Sequence, residues 1–145
     1  MGAPSVGCEP MGEPDCIFCK IVAGELPAQI IDQDERTIAF MDIAPGTRGH
    51  ALVIPRRHAR DLWEIEPEEL DAVARAAQRL AGRVRERLGA DGVNLINSCG
   101  SAAWQTVFHF HMHVIPRYEG DPLKLPWQPT PGDPDEIAAA AEQLR

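Results

Sequence analysis

The chain is 145 residues long with 44% hydrophobic residues, the size and apolar content of one domain built around one core. Its 22 acidic residues outnumber the 14 basic ones, and a formal charge of −8 excludes gripping a polyphosphate backbone by charge. No apolar run approaches the roughly 18 to 20 residues of a bilayer span, and the opening Met-Gly-Ala-Pro-Ser lacks a secretory signal's basic and apolar regions. A cytoplasmic location without nucleic-acid or membrane partners is therefore expected, and in that reducing setting Cys8, Cys16, Cys19 and Cys99 read as thiols or metal ligands.

Residues 1–14 carry Pro and Gly but almost no large apolar side chains, and they read as a disordered extension preceding a single domain over 15–145. Between Cys16 and Ala23, Ile17, Phe18, Ile21 and Val22 recur at helical offsets, with Gly24 placed as a C-cap. Strands are predicted over Gln29–Asp32 and Thr37–Asp42, joined by a hairpin turn at 33–36, and over His50–Pro55, where the proline ends the run. The longest element runs from Pro67 to Leu88. Proline opens it, Glu68 and Glu69 occupy the first turn, Arg83, Arg85 and Arg87 lie near its end, and Gly89 follows. Its predicted core stripe is Leu70, Val73, Ala74, Ala77, Leu80, Ala81, Val84 and Leu88. A fourth strand over Val93–Asn97 leads into the small-residue loop 98–103, and a fifth spans Val107–Pro116. A Pro-rich tail, 119–145, closes with a helix over Ile137–Leu144. The pattern is that of an α+β domain, a five-stranded antiparallel sheet with one long helix on a face and short helices at either end.

The five histidines are unevenly placed: His50 and His58 bracket one apolar segment, and His109, His111 and His113 alternate within five residues. On a strand those three imidazoles share one face, while Phe108, Phe110, Met112 and Val114 point to the other. Successive imidazoles would stand ~7 Å apart, too far for all three to bind one metal on a straight strand. Neutral imidazole near pH 7 can attack phosphorus, shuttle a proton or bind a metal.

His109-Phe-His111-Met-His113-Val-Ile115 resembles the His-φ-His-φ-His-φ-φ signature of the histidine triad (HIT) nucleotide hydrolases and transferases. Cys16-Ile-Phe-Cys19, Gly24-Glu-Leu-Pro27, Ala39-Phe-Met-Asp42-Ile, Gly49-His-Ala-Leu-Val-Ile-Pro-Arg-Arg-His58 and Gln105-Thr-Val-Phe are similar to that family's Hint-like branch, over about residues 16–118. The resemblance implies that His111 is the nucleophile, attacking an α-phosphorus to give a nucleotidyl-histidine. It implies that His113 donates to the phosphate, that His50 supports the nucleophile, and that Gln105 and Thr106 contact phosphate or leaving group. Asp42 matches the ribose-binding carboxylate, while Phe18, Ile21, Leu26, Phe40 and Ile43 match the lining of the base pocket. Relatives commonly carry Asn where this chain has Ser98, with Asn97 one position early, and Gly where it has Trp104.

Cys16-x-x-Cys19 reads by itself as metal-binding or redox-active. By resemblance to some bacterial Hint-like proteins, His58 and His109 complete a closed structural zinc site with it, the alternative being a metal-free thiol pair. The implied activity is hydrolysis of nucleoside phosphoramidates, adenosine above all, or related phosphoanhydrides, by a homodimer. Other readings are a nucleotide-binding scaffold with incidental hydrolysis, a dinucleoside polyphosphate hydrolase, a nucleotidyl transferase, or a zinc hydrolase using metal-bound water.

Overall fold

The computed structural model describes residues 14–124 and 126–145. The extension read as disordered, Cys8 included, lies outside the described residues except for Pro14. The elements in chain order are α1 (Ile17–Val22), β1 (Ile30–Gln33), β2 (Thr37–Met41), β3 (Ala51–Pro55), α2 (Pro67–Leu88), β4 (Gly92–Ile96), β5 (Met112–Arg117) and α3 (Pro134–Leu144). The five strands form one antiparallel sheet in the order β1-β2-β3-β5-β4, the architecture expected from the sequence.

The central strands β2 and β3 are apolar along their length because both faces of the sheet are covered. Ala39, Ala51 and Val53 face the long helix, whereas Ile38, Phe40, Leu52 and Ile54 face Phe18 of α1. Such two-sided burial turns alternation into a continuous apolar run. Helix α2 begins and ends at the predicted residues, with Pro67 in its first turn and Gly89 in the left-handed conformation at φ 71°. Its buried stripe is Val73, Ala76, Ala77, Leu80 and Val84. Ala76 replaces the expected Ala74, which is exposed on the flank of the stripe. Alanine's short side chain fits either environment, so pattern alone did not separate the two positions.

Strand β5 starts at Met112, five residues later than predicted. The β3–β5 ladder reaches only as far as Val53 opposite Met112. Beyond it, the Pro55 carbonyl accepts from the His109 ring, and the Phe110 N–H donates to Ala59. On the other side, Asn97 Nδ2 donates to the His111 carbonyl where a β4 backbone partner would stand. Residues 109–111 therefore keep the alternating side-chain directions of a strand without its ladder. Phe110 packs in the core beside α2, while His109 and His111 meet Phe18 on the opposite face. Helix α3 starts earlier than predicted, at Pro134, capped by Asp133. No helix among the described residues is long and apolar enough to cross a membrane.

Candidate functional site: a cation cluster beside a histidine-lined cleft

Cys16 caps α1, its sulfur accepting the Cys19 N–H at 3.2 Å. The far end closes with Gly24 N–H bonding Ile21 and Glu25 N–H bonding Lys20, the paired bonds of a Schellman turn. One short helical turn thus brings both cysteines toward His58 and His109. Cys16 Sγ lies 3.4 Å and Cys19 Sγ 3.5 Å from His109 Nδ1, Cys19 Sγ lies 3.3 Å from His58 Nδ1, and the two Nδ1 atoms are 3.2 Å apart. Corners of a tetrahedron with Zn–S of ~2.3 Å and Zn–N of ~2.0 Å would stand about 3.3 to 3.8 Å apart.

The protonation of His109 fits the same purpose, whereas burial keeps Cys16 a thiol that a metal would have to deprotonate. His109 Nε2 donates to the Pro55 carbonyl at 2.9 Å, which leaves the Nδ1 lone pair toward the sulfurs. Burial pushes the Cys16 thiol up to about 11 and His109 down to about 4, so His109 is a neutral donor at pH 7. Cys16, Cys19, His58 and His109 form a donor set able to hold a metal ion.

On the other side of Phe18, His111, His113 and Asp42 line a cleft of about 570 Å³, with His50 behind His113. His111 Nδ1 donates to the His109 carbonyl at 2.8 Å, leaving its Nε2 lone pair unprotonated. Gly46 N–H donates to His50 Nδ1 at 2.9 Å, so His50 Nε2 carries the proton and donates it to His113 Nδ1, also at 2.9 Å. His113 therefore presents an N–H at Nε2. Burial lowers the proton affinity of all three, His113 to about 4, and they are neutral imidazoles near pH 7.

Asp42 Oδ2 lies 3.4 Å from His50 Nε2 and 4.0 Å from His113 Nδ1, while Oδ1 accepts the Ala44 N–H at 2.8 Å. It is both a turn residue at the end of β2 and a wall of the cleft. Although Asp42, His50 and His113 cluster closely, a cation on His50 Nε2 would have to displace the proton that Gly46 fixes there. The group is a proton chain rather than a metal site.

The cleft is lined by Phe18, Ile21, Leu26, Phe40, Asp42, Ile43, Thr106, His111 and His113, which brings together nine of the residues expected at the nucleotide. Phe18 stands edge-on to Phe40 and His111, with ring centroids 5.4 and 5.2 Å apart. His50 sits behind His113 and reaches the cleft only through it. Ser98 does not line the cleft. Gln105 departs from expectation as well: its Oε1 accepts the Gly100 N–H, and its Nε2 donates to the Arg60 and Val107 carbonyls. That side chain is spent bracing the loop, with its backbone N–H bonded to Gly100.

Asn97 has a positioning role that sequence reading missed, its Nδ2 holding the His111 carbonyl at 2.9 Å. Ile17, Pro27, Leu52 and Val107 also line the cleft, and their only sequence signal was adjacency to residues already named. Trp104 joins them at φ 76°, the one non-glycine residue with positive φ among the described residues. For a bulky side chain this conformation costs about 1–3 kcal/mol, and the indole does not offset it by burial, being 72% exposed.

A family model described as the HIT domain matches residues 23–120. The chain is 37% identical over 130 residues to adenosine 5′-monophosphoramidase hnt1 of Schizosaccharomyces pombe, covering 89% of this chain and 95% of that protein. Among solved structures, SMU.412c of Streptococcus mutans superposes with a TM-score of 0.87 at 35% identity, covering 98% of this chain and 92% of the other. A Zn-bound histidine triad family protein from Mycobacterium smegmatis is 45% identical with a TM-score of 0.74, covering 90% of this chain and 95% of the other.

Proposed function

Because the chain belongs to the HIT domain family, we propose that it is a nucleotide-binding hydrolase that cleaves nucleoside phosphoramidates, adenosine above all, at the α-phosphorus. The observation that carries this reading is the protonation of His111: Nδ1–H is committed to the His109 carbonyl, and the Nε2 lone pair stands in the cleft beside His113 and Asp42. Attack by Nε2 forms a P–N bond as the P–N bond to the substrate's amine breaks, and the amine leaves as a neutral molecule with a proton taken from solvent water. The His109 carbonyl stabilises the positive charge that then develops on the ring. Water next attacks phosphorus, releases His111 as neutral imidazole and restores the proton that left with the amine. The His113 Nε2–H is suited to a non-bridging phosphate oxygen, and the Gly46–His50–His113 chain fixes its direction. Phe18, Ile21, Leu26, Phe40 and Ile43 take the base, Asp42 the ribose hydroxyls, and Thr106 contacts the phosphate or leaving group.

Zinc is proposed at Cys16, Cys19, His58 and His109, in keeping with the donor spacing and with the Zn-bound relative. Four protein donors leave no open position, so the ion would supply cross-linking of α1 to the His109 segment and no chemistry. A homodimer is proposed through the exposed edge of β4, where Leu95 and Ile96 are uncovered beside Ala74 and Ala81 of α2. The thiolate ligands and the acidic charge accord with a reducing cytoplasmic setting and a small-molecule substrate.

His111→Ala tests the mechanism: turnover of adenosine 5′-phosphoramidate should fall by at least about a thousandfold while the AMP dissociation constant stays within a few-fold. Retained turnover in that variant would sink the covalent route. AMP binding without turnover in the wild-type protein would favour a nucleotide-binding scaffold.

A further inference from the structure

Trp104 is placed where neither folding nor packing accounts for it. Its backbone adopts a left-handed conformation that glycine would take without strain, its side chain is 72% exposed, and no hydrogen bond holds its indole N–H within the described residues. It is nevertheless fixed in position. Trp104 N–H donates to Ser101, the next residue's N–H donates to Gly100, and the buried Gln105 side chain ties that loop to Arg60 and Val107. A rigid loop thus holds an open aromatic face at the edge of the cleft that contains His111 and His113.

The apolar end of the cleft is already walled by Phe18 and Phe40, both buried, from α1 and β2. Trp104 lies instead on the loop before β5, two residues ahead of Thr106. Thr106 borders both this cleft and an outer hollow of about 540 Å³ beside Arg60 and Glu64. With the base placed against Phe18 and Phe40 as proposed above, Trp104 and Thr106 belong to the part of the cleft wall left for the group beyond the phosphorus.

We propose that Trp104 determines leaving-group specificity, offering a stacking face to a planar group on the amine that departs from phosphorus. This rests on the hydrolase reading above and adds to it the chemical class of the leaving group. Stacking between aromatic faces is worth about two- to tenfold in affinity, so the preference is measurable.

The test uses the full chain and two adenosine 5′-phosphoramidates matched in size, one of benzylamine and one of cyclohexylmethylamine. Trp104→Gly should lower kcat/KM for the benzyl substrate about two- to tenfold further than for the cyclohexylmethyl one, and Trp104→Phe should retain most of the planar preference. The Trp104→Gly thermal midpoint should not fall by more than a few degrees, which separates lost stacking from lost fold. Equal loss on both substrates, or no loss on either, overturns the proposal. So does a change of mass in sedimentation accompanied by equal loss, which would assign the indole to an interface between chains. Absence of turnover by the wild-type protein would count against the hydrolase reading alone. The stacking face is then read from dissociation constants of the inert N-benzyl and N-cyclohexylmethyl 5′-O-sulfamoyladenosines, whose ratio should favour benzyl in the wild-type protein and collapse toward one in Trp104→Gly. An unchanged ratio refutes it.

Discussion

Lowering the pH from 7.5 to 5.0 should destabilise this protein partly through His113. The side chain is held at about 4, against an ordinary 6.5, first by burial and then by facing His111 and His50, with Asp42 opposing. A histidine whose native pKa is depressed contributes stability that is complete above 6.5 and is lost as pH falls toward 4, because the unfolded chain takes up the proton first. For a fully shifted group the loss between those two pH values is about 2 kcal/mol. The side chain is 23% exposed, which brings the expectation to about 1–2 kcal/mol. Denaturant unfolding of the wild-type protein and His113→Gln at both pH values isolates this contribution, since any loss at the cysteine–histidine cluster is common to both. The variant should lose about 1–2 kcal/mol less than the wild-type protein over the interval. Equal losses would mean that His113 is not held neutral by its surroundings.

Removal of metal offers an independent check on the cluster. A chelator strong enough to strip zinc should release one ion per chain, measured by elemental analysis, and lower the thermal midpoint, while Cys19→Ser should prevent stoichiometric loading. Gln105→Ala leaves the Gly100 N–H and two carbonyls without their partner and should cost about 1–3 kcal/mol in unfolding free energy. A neutral outcome would show that the loop does not depend on that brace.

Much of the fold was legible because its boundaries carry local chemistry. Pro67 and Gly89 mark the ends of α2 by what each backbone can and cannot do, and those ends are where the structure has them. The start of β5 was not legible for a matching reason: alternation of imidazole and apolar side chains continues through 109–111, but hydrogen bonding to β3 has already stopped. Side-chain pattern reports which face is buried and is silent on whether a ladder partner exists.

The cleft divides the same way. Phe18, Phe40, Asp42, His111 and His113 were identifiable through the motifs around them and converge on one cavity. The engagement of Gln105 with backbone groups 2 to 45 residues away is a tertiary fact, and no spacing in the sequence encodes it. Neither does the left-handed backbone of Trp104, since nothing local requires tryptophan to adopt it.

Helix α1 is six residues long, far below the length at which a helix persists on its own in water. Its order is maintained by what it touches: Cys16 and Cys19 at the donor cluster, and Phe18 set edge-on to the rings of His109 and His111. A cation at the cluster and a nucleoside against Phe18 would both draw on the ordering of this single turn of chain. Any tightening of that turn by one of them would be felt by the other, and thermodynamic reciprocity would make the gain equal in both directions. The two sites, chemically unrelated, are in this sense two ligands of one helix.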